Sequence, residues 1–208
     1  CTLSFHILNL KPMKANGKQP KAKQSKAVFL DRDGTIIRQV ELLHKISELR
    51  LLPRAAQAIR AINRLGYLAI IITNQPVVAR GLIEPEGVDS IHAVLIKRLS
   101  KCGAKIDAVY FCPHHPNANV KKYRLHCRCR KPNIGMILKA VKKFNINIKK
   151  SFLIGDSTRD ILAGDRAGLK TILVKTGHTR KDPWQFNARP DFITKNLNEV
   201  VKLLKKSF

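Results

Sequence analysis

Two short acidic segments hold the residues best suited to chemistry. Asp31-Arg32-Asp33-Gly34-Thr35 follows the apolar run Val28-Phe29-Leu30, and Gly155-Asp156-Ser157-Thr158-Arg159-Asp160 follows Phe152-Leu153-Ile154. An unperturbed aspartate has a pKa of about 3.9, so Asp31 and Asp33 would both be charged at neutral pH. Crowded like charges cost energy unless a cation or a proton compensates. Mg²⁺, which prefers oxygen ligands, is the natural answer. Gly34 permits a sharp turn at that point. Asp156 and Asp160 form a second acidic pair, able to meet the first only if the two strands are neighbours. A surface Asx turn is the plain alternative for the first segment. A helix start is the alternative for the second, since Asp and Ser both cap helices, and Asp160 is expected to do partly that. Two further side chains fit the same chemistry. Thr73 puts a hydroxyl at the end of an apolar run, and Lys131 puts a point charge just before Pro132.

A third group is sulfur-rich. Of the five cysteines, Cys1, Cys102, Cys112, Cys127 and Cys129, three crowd near two histidines in Cys112-Pro113-His114-His115 and Cys127-Arg128-Cys129. This is no disulfide framework and reads as a metal site in a reducing compartment. Thiolate and imidazole suit Zn²⁺. Cys112, His114, Cys127 and Cys129 supply four ligands, which close a tetrahedron, so the zinc is expected to be structural. His115 could stand in for His114, and free cysteines beside surface histidines are the plain alternative. The stretch from about 112 to 131 is long for a loop, and a bound ion would order it.

The elements that must position these groups alternate in type. Apolar runs at 27–30, 67–72, 108–111, 152–154, 171–174 and 192–194 read as strands. Helical spacing predicts helices over 53–65, 86–99, 159–167 and 197–204, with Pro132 opening another that runs to about 144. Strands alternating with helices imply an α/β, Rossmann-like three-layer sandwich around a mostly parallel sheet. In such sheets ligands sit beyond the carboxyl ends of the strands, so the polar clusters after Leu30, Ile72 and Ile154 should gather on one edge.

The charge balance is strongly basic: 40 Lys and Arg against 14 Asp and Glu over 208 residues, a net charge of +26. Such a field attracts phosphorylated metabolites, nucleic acid or anionic membrane and names none of them. Residues 1–26 carry six lysines and no acid, and are expected to form a flexible basic arm ahead of one domain over 27–208. No run approaches the roughly 20 apolar residues that span a bilayer. The apolar residues within 1–10 are few and precede the basic ones, a poor match to a secretory signal. The first methionine is Met13, so residues 1–12 read as a fragment of something longer or a misplaced start. A cytoplasmic protein is the expectation.

The DxDGT loop at Asp31, Thr73 ending its strand, Lys131 and the GDxxxD loop at Asp156 together resemble the haloacid dehalogenase superfamily, over roughly residues 27–175. The resemblance implies a phosphatase in which Asp31 attacks phosphorus and forms an aspartyl-phosphate. Asp33 would protonate the leaving oxygen and then serve as base on water. Magnesium would be held by the Asp31 side chain, the Asp33 backbone carbonyl and Asp156. Thr73 and Lys131 would hold the phosphoryl oxygens, and Asp160 would orient Lys131 or the loop.

The CPHHP and CRCRKP segments narrow this. With Thr73-Asn74-Gln75, Ala79-Arg80-Gly81 and Arg130-Lys131, they look like the D-glycero-D-manno-heptose 1,7-bisphosphate 7-phosphatases and the related histidinol-phosphate phosphatases. That group lacks a sizeable cap and tends to be monomeric. By resemblance Asn74, Gln75, Arg80 and Arg130 would contact a small phosphorylated sugar, with Arg130 a candidate for its distal phosphate. Pro76-Val77-Val78 and Ser157 depart from the group's usual residues near the site. The expected function is removal of the 7-phosphate from that bisphosphate in nucleotide-heptose synthesis. Histidinol-phosphate phosphatase is the enzyme alternative. From another class, the basic charge suits a nucleic-acid-end phosphatase or a nucleic-acid-binding protein. Contact with nucleic acid is expected to be non-specific only.

Overall fold

The computed structural model describes residues 24–177 and 186–206. Its sheet has six strands: β1 (Lys26–Leu30), β2 (Tyr67–Asn74), β3 (Ala108–Cys112), β4 (Phe152–Gly155), β5 (Lys170–Val174) and β6 (Phe192–Thr194). The spatial order is β3-β2-β1-β4-β5-β6, and every pairing is parallel. Side chains alternate across such a strand. Val28 and Leu30 therefore face one core with Ala69, Ile71 and Ile154, while Ala27 and Phe29 face another with Ile70, Ile72 and Leu153.

Helices cover both faces. Helix α1 (Ala55–Arg64), α3 (Pro85–Ser100) and α6 (Leu197–Lys206) bury Ile59, Ile62, Leu95 and Leu204 against the first core. Helix α4 (Gly135–Phe144) and α5 (Thr158–Ala167) place Met136, Ile137 and Ala163 in the second. A short helix, α2 (Pro76–Ala79), follows β2. This is the expected α/β three-layer sandwich, and among the described residues no separate cap domain is inserted. No described helix is long and apolar enough to cross a membrane.

Three local expectations need correcting. Pro132 does not open α4. It follows Lys131 through a cis peptide bond, and the helix begins at Gly135, whose amide donates to Arg128 O at 2.9 Å. The 112–131 segment is not wholly irregular, because residues 121–123 form a 3-10 turn. Residues 1–23 of the expected arm lie outside the described residues, but its last residues are tied into the fold: Ser25 N donates to Asn145 O, and Lys26 begins β1.

The topology fixes where a ligand can sit. From β1 the chain moves outward through β2 to β3, then returns to β4 on the other side of β1. The strand order reverses between β1 and β4, and that gap at the carboxyl ends is where such sheets bind ligands. Leu30 pairs with Ile71 and with Ile154, so Asp31, Thr73 and Asp156 emerge side by side.

Candidate active site

Asp31 continues the β1–β4 ladder, its amide donating to Ile154 O at 2.9 Å. The chain then turns at Gly34, whose φ of +73° is left-handed, and a side chain there would run into the Asp156 carboxylate. Gly177 packs against the same carboxylate in the same way. The two glycines therefore leave the Asp156 carboxylate close to bare backbone.

Lys131 reaches in from the loop before α4. Its ammonium pairs with Asp31 Oδ1 at 2.9 Å and Asp160 Oδ1 at 2.6 Å, and donates to Ile72 O at 2.9 Å. Burial works against this ammonium, but Asp160 and Asp31 outweigh it and raise its pKa. Asp160 does two things at once. Its Oδ1 meets Lys131, while its Oδ2 accepts from Ser157 Oγ at 2.7 Å and Ser157 N at 3.3 Å at the start of α5. One carboxylate thus caps the helix start and contacts Lys131 at the same time.

Carboxylate oxygens of Asp31, Asp156 and Asp160 lie within 4.8 Å of one another. Burial first, then Asp160 and Asp33, push Asp31 up to about 6 against the pull of Lys131. Three crowded, mostly buried carboxylates with Lys131 between two of them leave a negative excess. An all-oxygen donor set with excess charge fits a hard divalent cation.

Asp33 is turned the other way. Arg32 grips it with Nε to Oδ2 at 3.0 Å and Nη2 to Oδ1 at 3.1 Å, and Gln75 Nε2 donates to Oδ2 at 2.9 Å. Gln75 Nε2 also donates to Thr73 Oγ1 at 2.9 Å. Arg32, Asp33, Thr73, Asn74, Gln75, Arg80, Lys131 and Asp156 share the walls of one cavity of about 370 Å³ with Gln39–Leu43. That is a volume suited to a small metabolite.

The expected substrate contacts divide. Asn74 and Gln75 line the cavity, but their amides are already engaged. Asn74 Nδ2 donates to Lys131 O at 3.1 Å and its Oδ1 accepts from Lys131 N at 3.0 Å, so it clamps the lysine's main chain. Gln75 serves Asp33, Thr73 and Arg32. Arg80 lines the cavity while donating to Asn117 O at 2.8 Å. Arg130 sits behind the cavity wall, donating to His114 O at 3.0 Å. Two wall residues were not among the expected substrate contacts, His115 having been weighed only as a zinc ligand. His115 and Arg159 lie close enough to Arg80 and Arg130 that the guanidiniums, after burial, lower the His115 pKa.

The sulfur cluster forms as expected. Cys112, Cys127 and Cys129 Sγ atoms are 3.1–3.3 Å apart, beyond the about 2.05 Å of a disulfide. His114 Nδ1 lies 3.7 Å from Cys112 Sγ and 3.6 Å from Cys129 Sγ. All four residues are buried. His115 takes no part, its Nδ1 accepting from Asn117 N at 3.0 Å. Hydrogen bonds from Cys112 and neighbouring amides draw the Cys127 thiol down to about 4 against burial. Three thiols and one imidazole nitrogen in a tight, dry group fit a closed zinc site. Cys129 lies two residues before Lys131, so the cluster anchors the lysine loop.

A strand-end carboxylate at the switch point of a parallel sheet, with a buried lysine and a second acidic loop beside it, is an arrangement suited to phosphoryl transfer. A family model described as "HAD-hyrolase-like" matches residues 128–200. The D-glycero-alpha-D-manno-heptose-1,7-bisphosphate 7-phosphatase of Photorhabdus laumondii is 40% identical over 86% of this chain and 97% of that protein. The D-glycero-beta-D-manno-heptose-1,7-bisphosphate 7-phosphatase of Pasteurella multocida is 34% identical over the same shares. The crystal structure of D,D-heptose 1,7-bisphosphate phosphatase from B. bronchiseptica, complexed with magnesium and phosphate, superposes with a TM-score of 0.78 at 29% identity. It covers 88% of this chain and 99% of its own. The chain belongs to the haloacid dehalogenase-like hydrolases, within their heptose-1,7-bisphosphate 7-phosphatase family, and is a phosphomonoesterase.

Proposed function

We propose that this chain removes the 7-phosphate from D-glycero-D-manno-heptose 1,7-bisphosphate through an aspartyl-phosphate on Asp31, in nucleotide-heptose synthesis. The observation that carries the reading is the arrangement of Asp31, Lys131 and Asp156 at the β1–β4 switch point in a chain matched over nearly the full length of relatives named for that reaction. Magnesium would be held by the Asp31 side chain, the Asp33 backbone carbonyl and Asp156, where it would neutralise charge on the transferring group.

The chain's own residues do the rest. Asp31 attacks phosphorus in line with the departing sugar oxygen. Lys131 and Thr73 hold the phosphoryl oxygens, and Asp160 keeps the lysine charged and aimed. Asp33 delivers a proton to the leaving oxygen, then takes one from the water that opens the aspartyl-phosphate. Arg80 and Arg159 on the cavity wall, with Arg130 behind them, receive the distal phosphate. Cys112, His114, Cys127 and Cys129 hold a structural zinc that fixes the lysine loop. Three free thiols this close stay reduced most readily in the cytoplasm, where we place the protein, acting as a monomer.

The test is phosphate release with Mg²⁺ from both anomers of the heptose bisphosphate, histidinol phosphate and a 3′-phosphorylated oligonucleotide, with Asp31→Asn as control. Preference for a heptose bisphosphate, lost by at least about a thousandfold in the variant, is expected. Both anomers belong in the panel because the relatives are named for both. Preference for the oligonucleotide would overturn the substrate and leave the chemistry standing.

A further inference from the structure

Arg32 lies between the two aspartates of the first loop, yet its side chain is buried, with 1% of the residue exposed. A buried guanidinium must find partners for its donors. Nε and Nη2 form a fork on the Asp33 carboxylate, Nη2 also donates to Gln75 Oε1 at 2.7 Å, and Nη1 lies 3.1 Å from His92 Nε2. His92 comes from the middle of α3, sixty positions along the chain, and its ring packs on Phe111 of β3 with centroids 5.6 Å apart. A guanidinium only donates, so His92 Nε2 accepts and the ring is neutral, with its proton on Nδ1. The Gln75 amide is fixed the same way. Its oxygen faces Arg32, so its nitrogen faces Asp33 and Thr73.

We propose that Arg32, Gln75 and His92 are positioning residues for Asp33: His92 locks the guanidinium from below, and the guanidinium and the Gln75 amide lock the carboxylate. The inference rests on the reading of Asp33 as the general acid and base. Asp33 has two free torsions, and a two-pronged fork with a third donor on Oδ2 removes both. Proton transfer depends on heavy-atom reach, so a carboxylate that swings loses much of its worth. The clamp thus makes a helix behind the sheet part of the acid–base apparatus, without touching substrate.

A purely structural role and a positioning role differ in one readout. A sugar alkoxide leaves poorly without a proton, whereas p-nitrophenolate leaves well without one. kcat/KM, which reports on steps through departure of the leaving group, is measured for the heptose bisphosphate and for p-nitrophenyl phosphate. The variants are His92→Leu, which removes the acceptor, His92→Gln, which keeps one, and Asp33→Asn. His92→Leu is expected to lower kcat/KM for the sugar ester at least about tenfold, part of the full general-acid effect, and to spare the aryl ester. His92→Gln should restore most of the loss. Arg32→Lys, which keeps the buried cation but cannot form the fork on Asp33, carries the same expectation should His92→Leu fail to fold. Equal loss on both esters, or no loss, in a variant with a native melting curve would overturn the proposal if Asp33→Asn still discriminates between the esters. If Asp33→Asn does not discriminate, the reading of Asp33 itself fails and takes the clamp with it.

Discussion

Asp31 is the residue on which, under the proposed reading, a proton and magnesium would compete. Burial and its acidic neighbours hold it near 6, above the ordinary aspartate range. Between about pH 4 and 6 the folded chain therefore binds more protons at this position than the unfolded chain, and metal-free stability falls as pH rises through that window. Asp31→Asn cannot ionise and escapes the loss. In metal-free buffer the variant should gain on the wild type as pH rises, by on the order of 2 kcal/mol at pH 7. Added Mg²⁺ should close the gap. Thermal unfolding of both proteins across pH 4–7.5 measures this, and a gap that ignores pH would contradict it. At this scale the sequence was informative wherever a residue's role follows from its strand. Asp31, Asp156 and Thr73 stand at strand ends, and their neighbours follow from the sheet. Asn74 and Gln75 were legible as site residues but not as clamps, because Asn74 answers to Lys131, 57 positions away. Neither Arg32 nor His92 was assigned a role from the sequence. Nothing local reveals that one accepts from the other.

At the scale of elements, the Cys/His cluster lies just ahead of Lys131. Cys112, His114, Cys127 and Cys129 draw together the segment from β3 to the residues just before Lys131, and Asn74 holds that lysine's main chain. Cys129→Ser should lose bound zinc, from about one ion per chain to none by elemental analysis. With several kcal/mol of folding free energy gone, its Tm should fall by roughly 10 °C. Activity should fall with it, although no zinc ligand lines the cavity. A wild-type protein free of zinc, or a variant with unchanged melting, would remove the loop from the account. The six strands and the five longer helices were readable in the sequence, but the short α2 was not. The misplaced start of α4 came from Pro132, whose fixed φ suits a first helical turn but also suits the bend before one. The long connection between β1 and α1 carries Ile36, Ile37, Leu43 and Leu49 into the core without a regular period, so no pattern announced it.

At the scale of the molecule, strand order is what the sequence could not supply. Alternating elements implied a parallel sheet, but only the return of β4 to the far side of β1 brings the two acidic loops together. Their meeting was a condition of the sequence reading and is a fact of the fold. The basic excess is distributed in the same way. From residue 108 to 155 the chain has no acidic residue, so the Cys/His loop and α4 itself present one sign of charge. The cavity wall carries Asp31, Asp33 and Asp156 together with Arg32, Arg80 and Arg159. A basic surface of this kind would draw an anionic substrate toward it.

The most direct measurement of the central claim is rapid acid quenching of the enzyme during turnover of the heptose bisphosphate with Mg²⁺, followed by mass spectrometry of its peptides. The account predicts one phosphoryl group on the peptide carrying Asp31, absent without substrate and absent in Asp31→Asn. A phosphoryl group on any other residue, or sustained turnover by Asp31→Asn with no adduct in either protein, would contradict it.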